Sequence, residues 1–170
     1  MQMGPDGEVS LIGDWFKLHY ILNRGMAFGL SLEANNGKFI LTLIRILAAG
    51  VMVYLLFRLS RQRYPNGLLW SLAAILGGAL GNVVDSVFYG VYLENAPLSA
   101  PTPWFHGQAI DMFYIDLWEG FLPDWIPVWG GVEIALLPIF NLADAAIFIG
   151  IILLLVNQKR WFHKPFIIEG

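Results

Sequence analysis

The sequence contains no cysteine and little charge. Without cysteine, its 170 residues cannot supply a disulfide, a zinc–thiolate or iron–sulfur site, or a thiol nucleophile. Charged residues make up 14% of the chain, whereas soluble domains have about 25%. The formal net charge of −3 argues against a nucleic-acid partner, which would require a basic face. The composition therefore predicts a membrane protein, and the length favours a single domain over residues 1–170.

Apolar residues, in contrast, are abundant, at 57% of the chain. Three stretches reach the length of roughly 20 mostly apolar residues that a spanning helix needs: 39–59, 68–89 and 134–156. The charges inside these stretches are Arg45, Asp85 and Asp144, with Arg58 close to the end of the first. We therefore predict a membrane α-helical bundle with three visible transmembrane helices.

The positions of the cations predict how these helices are oriented. Three arginines lie near the turn between the first two spans, and three cations follow the last span: Arg58, Arg61, Arg63, Lys159, Arg160 and Lys164. The segment 91–133 has no Lys or Arg. Because cytoplasmic loops carry an excess of Lys and Arg, we expect the arginine turn and the C-terminus to be cytoplasmic. Residues 1–38 and 91–133 are then expected to be extracytoplasmic.

Two of the expected extracytoplasmic stretches alternate with a period of two. Large apolar side chains alternate with Lys17 and His19 in 15–22, and the stretch 107–118 has a similar pattern. This alternation is typical of strands. We therefore predict that 1–38 is β-like and that a small β-structure lies at the membrane interface.

Three carboxylates stand in apolar surroundings, where a charge is costly. Asp85 and Asp144 lie inside predicted spans, and Asp111 lies in the outer segment between Ile110 and Met112. Two acids that share a site hold one proton between them, which is the arrangement that aspartic proteases use. Intramembrane acids also form proton relays, and one of these acids has a structural alternative, an ion pair with Arg45.

Other kinds of chemistry have little support in the sequence. The histidines His19, His106 and His163 are not paired at metal-ligand spacing, so we expect no metal site. A Gly-x-Ser-x-Gly motif and a glycine-rich phosphate loop are also missing, and no cofactor is expected. The glycines of the second span, which include Gly77, Gly78 and Gly81, are interpreted as sites of close helix packing.

The order and spacing of the polar residues resemble those of the bacterial lipoprotein signal peptidase (signal peptidase II) family. Four short elements carry the resemblance: Asn23–Phe28 (NRGMAF), Gly77–Asp85 (GGALGNVVD), Gly107–Met112 (GQAIDM) and Phe140–Asp144 (FNLAD), the last followed by Ile147 and Gly150. A single element of this kind is weak. Four in the family's order, over most of the chain, are specific.

The resemblance implies an intramembrane aspartic endopeptidase of the bacterial cytoplasmic (inner) membrane, acting as a monomer without a cofactor. Such an enzyme removes signal peptides from diacylglyceryl-modified prolipoproteins and cuts before the lipidated cysteine. The family's catalytic pair corresponds to Asp111 and Asp144. Its substrate-binding positions correspond to Asn23, Gly25, Asn82, Asp85 and Asn141. The implied fold is a helical bundle with an interfacial β-cradle and a short outer helix, expected in 28–39 or in 118–129.

Three features depart from the family pattern. The family has four spans, and nothing before Phe39 is long or apolar enough to be the first, so either the chain begins late or that helix is missing. Ser86 stands where many members have Arg, and Arg45 is a candidate replacement. The proline-containing linker 91–106 is long enough to form a lid. Two alternative functions stay open: an inactive homologue that binds lipoproteins, and a small proton-coupled carrier.

Overall fold

A computed structural model describes residues 8–23, 37–127, 130–131, 133–135 and 137–161. The chain divides into two compact units. The first comprises Met1–Asn23 and Ile110–Asn141, and the second comprises Arg24–Ala109 and Leu142–Gly170. The first unit is built from strands and the second from helices.

A three-stranded sheet forms the centre of the first unit, with the strand order β1 (Glu8–Ile12), β2 (Phe16–Asn23), β3 (Ala109–Ile115). Strands β1 and β2 form an antiparallel hairpin in which Glu8 pairs with His19. The turn between them uses Gly13 at a φ of +53°, a left-handed conformation that glycine adopts without strain. The predicted strands in 15–22 and 107–118 are thus present, and the small sheet is confirmed.

Aromatic side chains and the ion pairs of Lys17 hold this sheet together. Phe16 stacks on Phe113, whose ring also contacts that of Phe140. Phe113 and Phe140 form an isolated antiparallel bridge, so the chain before the last helix lies beside β3. Lys17 donates a hydrogen bond of 2.8 Å to Asp116, which anchors β2 to the residue that follows β3.

A short antiparallel pair, β4 (Glu119–Phe121) and β5 (Glu133–Ala135), completes the first unit. The outer helix expected in 118–129 is replaced, in the described part of that stretch, by β4 and turns. The other candidate stretch, 28–39, lies outside the described residues up to residue 36, and its remainder belongs to a membrane helix.

The second unit contains three helices: α1 (Gly37–Arg61), α2 (Asn66–Tyr92) and α3 (Leu142–Trp161). Each is long and apolar enough to cross a membrane. Their large apolar side chains are mostly exposed, as on Leu47, Trp70 and Val156, which suits a hydrocarbon surrounding. The prediction of three spanning helices in the described residues is confirmed.

The third helix begins at Leu142, and not at Ile134 as the hydropathy pattern predicts. Part of the earlier apolar run forms β5, and Phe140 pairs with Phe113. Pro138 explains this break, because proline has no amide hydrogen and its ring disfavours helix in the preceding residue. A hydropathy window cannot detect the break, since strand and helix here are equally apolar.

Helices α2 and α3 approach closely at small residues. A Cβ atom at Gly78 would overlap the carbonyl oxygen of Ala143 and would lie 2.7 Å from Ile147 Cγ1. A Cβ at Gly81 would lie 3.1 Å from that of Ala143. Nothing lies within 4 Å of the corresponding position at Gly77. The predicted packing role is therefore correct for Gly78 and Gly81, whereas Gly77 faces open space.

A small apolar core closes the end of the unit at which α1 turns into α2. Leu59, Tyr64 and Leu68 are buried there, and Trp161 from the end of α3 packs against them. The basic residues in the last turns of α1 and α3 therefore lie at the same end of this unit.

The linker after α2 folds back onto the other end of α1 and α2. Gly107 N–H donates to the Ser86 carbonyl at 2.9 Å, and Asn95 and Gln108 exchange three hydrogen bonds of 2.6–3.1 Å. Phe105 has a φ of +65°, and its N–H donates to Val87 while its ring contacts Phe39. These contacts hold the linker in one conformation despite the strained residue.

Candidate active site

Asp111 belongs to the first unit and is 2% exposed. It lies on β3, and both of its oxygens accept a hydrogen bond from an amide side chain. Asn23 Nδ2 donates to Oδ2 at 2.8 Å, and Asn141 Nδ2 donates to Oδ1 at 2.7 Å. Asp111, Asn23 and Asn141, which the sequence assigns to one site, are therefore brought together.

Strand pairing explains how these three residues meet. Asn23 is the last residue of β2, the neighbour of β3 in the sheet. Asn141 follows Phe140, which bridges to Phe113 two positions after Asp111. A buried carboxylate is costly unless its oxygens are hydrogen-bonded. Each bond to a charged group contributes about 1.5–3 kcal/mol, and N–H donors favour the ionised form.

Asp144 belongs to the second unit and lies in the first turn of α3. Asn82 Nδ2 of α2 donates to Asp144 Oδ1 at 2.9 Å. The close approach of α2 and α3 at Gly78 and Ala143 makes this bond possible, since Asn82 lies one turn after Gly78 on the same helix face. The N-terminal turn of a helix also stabilises a negative charge.

Asp85 lies one turn beyond Gly81 on α2 and one turn before Tyr89, whose hydroxyl is close enough to interact with it. Lys38 and Arg45 of α1 both act on it electrostatically. The second unit therefore collects Asp85, Asn82 and Asp144, three of the predicted site residues, around cations from α1. Gly25, the remaining predicted position, lies outside the described residues.

Two further side chains of the second unit belong to this arrangement. Arg45 Nη1 donates to Ser86 Oγ at 3.0 Å, and the Ser86 hydroxyl donates to the main-chain carbonyl oxygen of Asn82 at 2.8 Å. Tyr89 contacts Asp85 as described. The sequence alone does not place Tyr89 or Ser86 in the site, although the signal exists. Each follows a predicted site residue by four positions in a helix, which places it on the same face.

Within the described ranges, no group of three or more His, Asp and Glu side chains is arranged to hold a metal ion. The two described histidines are engaged elsewhere: His19 contacts Glu8, and His106 is buried beside Phe39 with Nδ1 2.9 Å from the Trp104 carbonyl oxygen. Each unit holds one carboxylate that amide side chains bind, Asp111 in the first and Asp144 in the second, and carboxylates are groups that carry out acid–base chemistry.

A model of the signal peptidase (SPase) II family matches residues 1–160 of the chain. The chain belongs to the signal peptidase II family. A lipoprotein signal peptidase of Amoebophilus asiaticus is 48% identical over 166 residues, which cover 97% of this chain and 70% of that protein. One from Porphyromonas gingivalis is 42% identical over 165 residues, covering 91% and 72%. The family predicted from the four sequence elements is thereby confirmed.

Two solved structures share the fold of this chain at lower sequence identity. Two bacterial membrane enzymes crystallised by the in meso method superpose with TM-scores of 0.55 and 0.56 at 20% and 21% identity. The matches cover 96% and 93% of this chain and 79% and 77% of theirs. This likeness establishes a shared fold, a membrane helical bundle with a small sheet. As a signal peptidase II family member, the chain is a membrane-embedded protease.

Proposed function

We propose that this signal peptidase II homologue is an aspartic endopeptidase with Asp111 and Asp144 as its catalytic pair. Its substrates are diacylglyceryl-modified prolipoproteins, and it cuts the peptide bond before the lipidated cysteine. The observation that carries the proposal is the way each carboxylate is held. Asp111 accepts hydrogen bonds from Asn23 and Asn141, and Asp144 accepts one from Asn82.

The reaction requires one proton shared between the two carboxyl groups. The ionised group removes a proton from water, and the water oxygen attacks the carbonyl carbon of the scissile bond. The protonated group gives its proton to the carbonyl oxygen, so a tetrahedral diol forms. When the C–N bond breaks, the first carboxyl group protonates the leaving amine and the second recovers a proton from a diol hydroxyl. The pair thus returns to its starting state.

The residues proposed to orient the two catalytic carboxylates and to bind substrate are Asn23, Asn82, Asp85 and Asn141. Gly25 is proposed to line the site. Amide donors fix the direction of a carboxylate, which a proton transfer in the transition state requires. Donors already in place need no reorganisation during the reaction. Replacing one of these residues is expected to misalign the aspartates and so to lower turnover.

A membrane location for the reaction follows from the substrate. Exposing an acyl chain to water costs about 0.8 kcal/mol per methylene, so the enzyme must meet its substrate within the bilayer. We place the enzyme in the cytoplasmic (inner) membrane as a monomer in contact with lipid. The cations at one end of the second unit are proposed to be cytoplasmic. Asp144, about 22 Å along α3 from Lys159, is then near the extracytoplasmic face.

The test is cleavage of a diacylglyceryl-modified prolipoprotein by purified protein in liposomes, followed as a gel shift. The parent is expected to release the signal peptide, and Asp111→Asn and Asp144→Asn are each expected to lose roughly 10³-fold or more in turnover. Asp124→Asn, a change of an exposed carboxylate in the first unit, is the matched control and should retain full activity.

Each alternative has its own outcome in this assay. Full cleavage by either variant would overturn the catalytic pair. A folded parent that binds the lipoprotein without cutting it would favour the inactive homologue, and proton flux into liposomes without cleavage would favour the carrier. Because the chain has no cysteine, Asp111→Cys/Asp144→Cys can be treated with a short thiol cross-linker. The absence of a cross-link would contradict the pairing of the two positions.

A further inference from the structure

We propose that Arg45 is a positioning residue for Asp144, acting from α1 through Ser86 and Asn82 of α2. The proposal rests on the catalytic role proposed for Asp144. In this proposal Arg45, a cation inside an apolar helix, helps to hold a carboxylate of another helix in position for catalysis.

A charge in this position needs an explanation. Arg45 lies in the interior of α1, a membrane-spanning helix, with Ile44 and Ile46 as its chain neighbours. Cations inside a spanning helix are costly and face partners within the protein. Arginine stays protonated under all ordinary conditions, so this cost is permanent.

The partner of Arg45 is a side chain that leads to the site. Arg45 Nη1 donates to the hydroxyl oxygen of Ser86, which has no exposed surface. The same hydroxyl donates its hydrogen to the main-chain carbonyl oxygen of Asn82, and the side-chain Nδ2 of Asn82 donates to Asp144 Oδ1. Three successive contacts of 3.0, 2.8 and 2.9 Å therefore join α1 to α3 by way of one turn of α2.

Charged groups of α1, α2 and α3 influence one another in this unit. Arg45 interacts electrostatically with both Asp144 and Asp85, and Lys38, on α1, acts on Asp85. Asp144 opposes these cations at Asp85 because the two carboxylates carry like charges, and Tyr89 also interacts with Asp85. Arg45 therefore attracts one carboxylate on α2 and one on α3. In a medium of low dielectric constant this attraction is much stronger than in water.

A purely structural role for Arg45, as a link between α1 and α2, makes a different prediction. Loss of such a link would lower stability and leave kcat unchanged in the protein that remains folded. Loss of a positioning residue misaligns Asp144 and should lower the kcat of the folded protein while KM stays near the parent's value. The split between kcat and KM therefore distinguishes the two roles.

The experiment compares Arg45→Gln, Arg45→Lys and the control Arg58→Gln in the liposome cleavage assay. Arg58 lies in the last turn of α1, where it contacts Tyr54, and its replacement should leave kcat and KM unchanged. Arg45→Gln is expected to lower kcat roughly 10- to 100-fold with little change in KM. Arg45→Lys, which keeps a positively charged donor, should recover part of that loss.

Exchanging the two hydrogen-bonded residues tests whether the contact between Arg45 and Ser86 is what positions Asp144. Arg45→Ser/Ser86→Arg returns a guanidinium to the same contact from the opposite helix and should recover part of the activity that Arg45→Ser loses. A folded Arg45→Gln protein with the parent's kcat would overturn the inference, and so would an exchange that recovers nothing. If the parent itself does not cleave, the proposed function fails instead, so the two failures are distinguishable.

Discussion

The contact between α2 and α3 at Gly78 allows a sharp test, because its neighbour Gly77 provides a matched control. A Cβ at Gly78 would overlap the Ala143 carbonyl oxygen and approach Ile147 Cγ1 to 2.7 Å. The Ala143 oxygen is backbone and cannot move without the helix. Gly78→Ala must therefore push α3 away from α2, whereas Gly77→Ala places its methyl group in open space.

The expected change in the free energy of unfolding has two contributions. Replacing glycine by alanine inside a helix gains about 0.5–1 kcal/mol, and this gain is common to both variants. Inserting a methyl group into a packed contact costs about 1–3 kcal/mol. The difference between Gly78→Ala and Gly77→Ala isolates the second term. For a chain of this size, it corresponds to a Tm difference of about 2–12 °C, with Gly78→Ala the lower.

Catalysis should be more sensitive than stability to this change. Asp144 is the next residue after Ala143, and its hydrogen bond with Asn82 spans the same helix pair. A displacement of about 1 Å at a reacting group can cost roughly 100-fold in rate. We therefore expect Gly78→Ala to lose about that factor in cleavage rate, while Gly77→Ala retains the parent rate.

Both quantities can be measured on purified protein, with Tm from differential scanning fluorimetry in detergent and the rate from the liposome assay. Equal Tm values and equal rates for the two variants would refute the close approach of α2 and α3. A lower Tm for Gly78→Ala with an unchanged rate would support the close contact of the two helices and contradict its influence on Asp144.

Two further predictions concern other contacts. Asn95→Ala removes both side-chain hydrogen bonds that Asn95 makes with Gln108 and should cost about 1–3 kcal/mol. Proteolysis within 93–108 should then be faster than in the control Asn157→Ala, which removes a hydrogen bond to the Leu153 carbonyl on α3. Equal proteolysis would show that these bonds do not hold the linker. Asp116 raises the pKa of Lys17 above its ordinary 10.5 by accepting its hydrogen bond. The pairing of charged Lys17 with Asp116 stabilises the folded protein. This stabilisation is complete below pH 10.5 and is lost as the pH rises through the pKa that Lys17 has in the folded state. The Tm of the parent should therefore fall more steeply than that of Lys17→Met above pH 10.5, and identical slopes would contradict the pairing.

Local patterns in the sequence carry much of the fold. Spans of apolar residues predict α1 and α2 to within a few residues, because helix length is set by bilayer thickness. Period-two alternation predicts β2 and β3, since successive side chains of a strand face opposite sides. The same local patterns miss the start of α3, where the apolar run from Ile134 continues through a strand and Pro138.

The amino-acid sequence alone establishes a membrane protein of the signal peptidase II family and singles out its aspartates, because both conclusions depend on composition and on short motifs. It does not reveal which side chains hold those aspartates. Asn23 and Asp111 lie 88 positions apart, and Asn82 and Asp144 lie 62 apart. Only strand pairing and the close packing of α2 on α3 bring each amide to its carboxylate. Such long-range contacts depend on how the elements fold together, and that is a property of the tertiary structure.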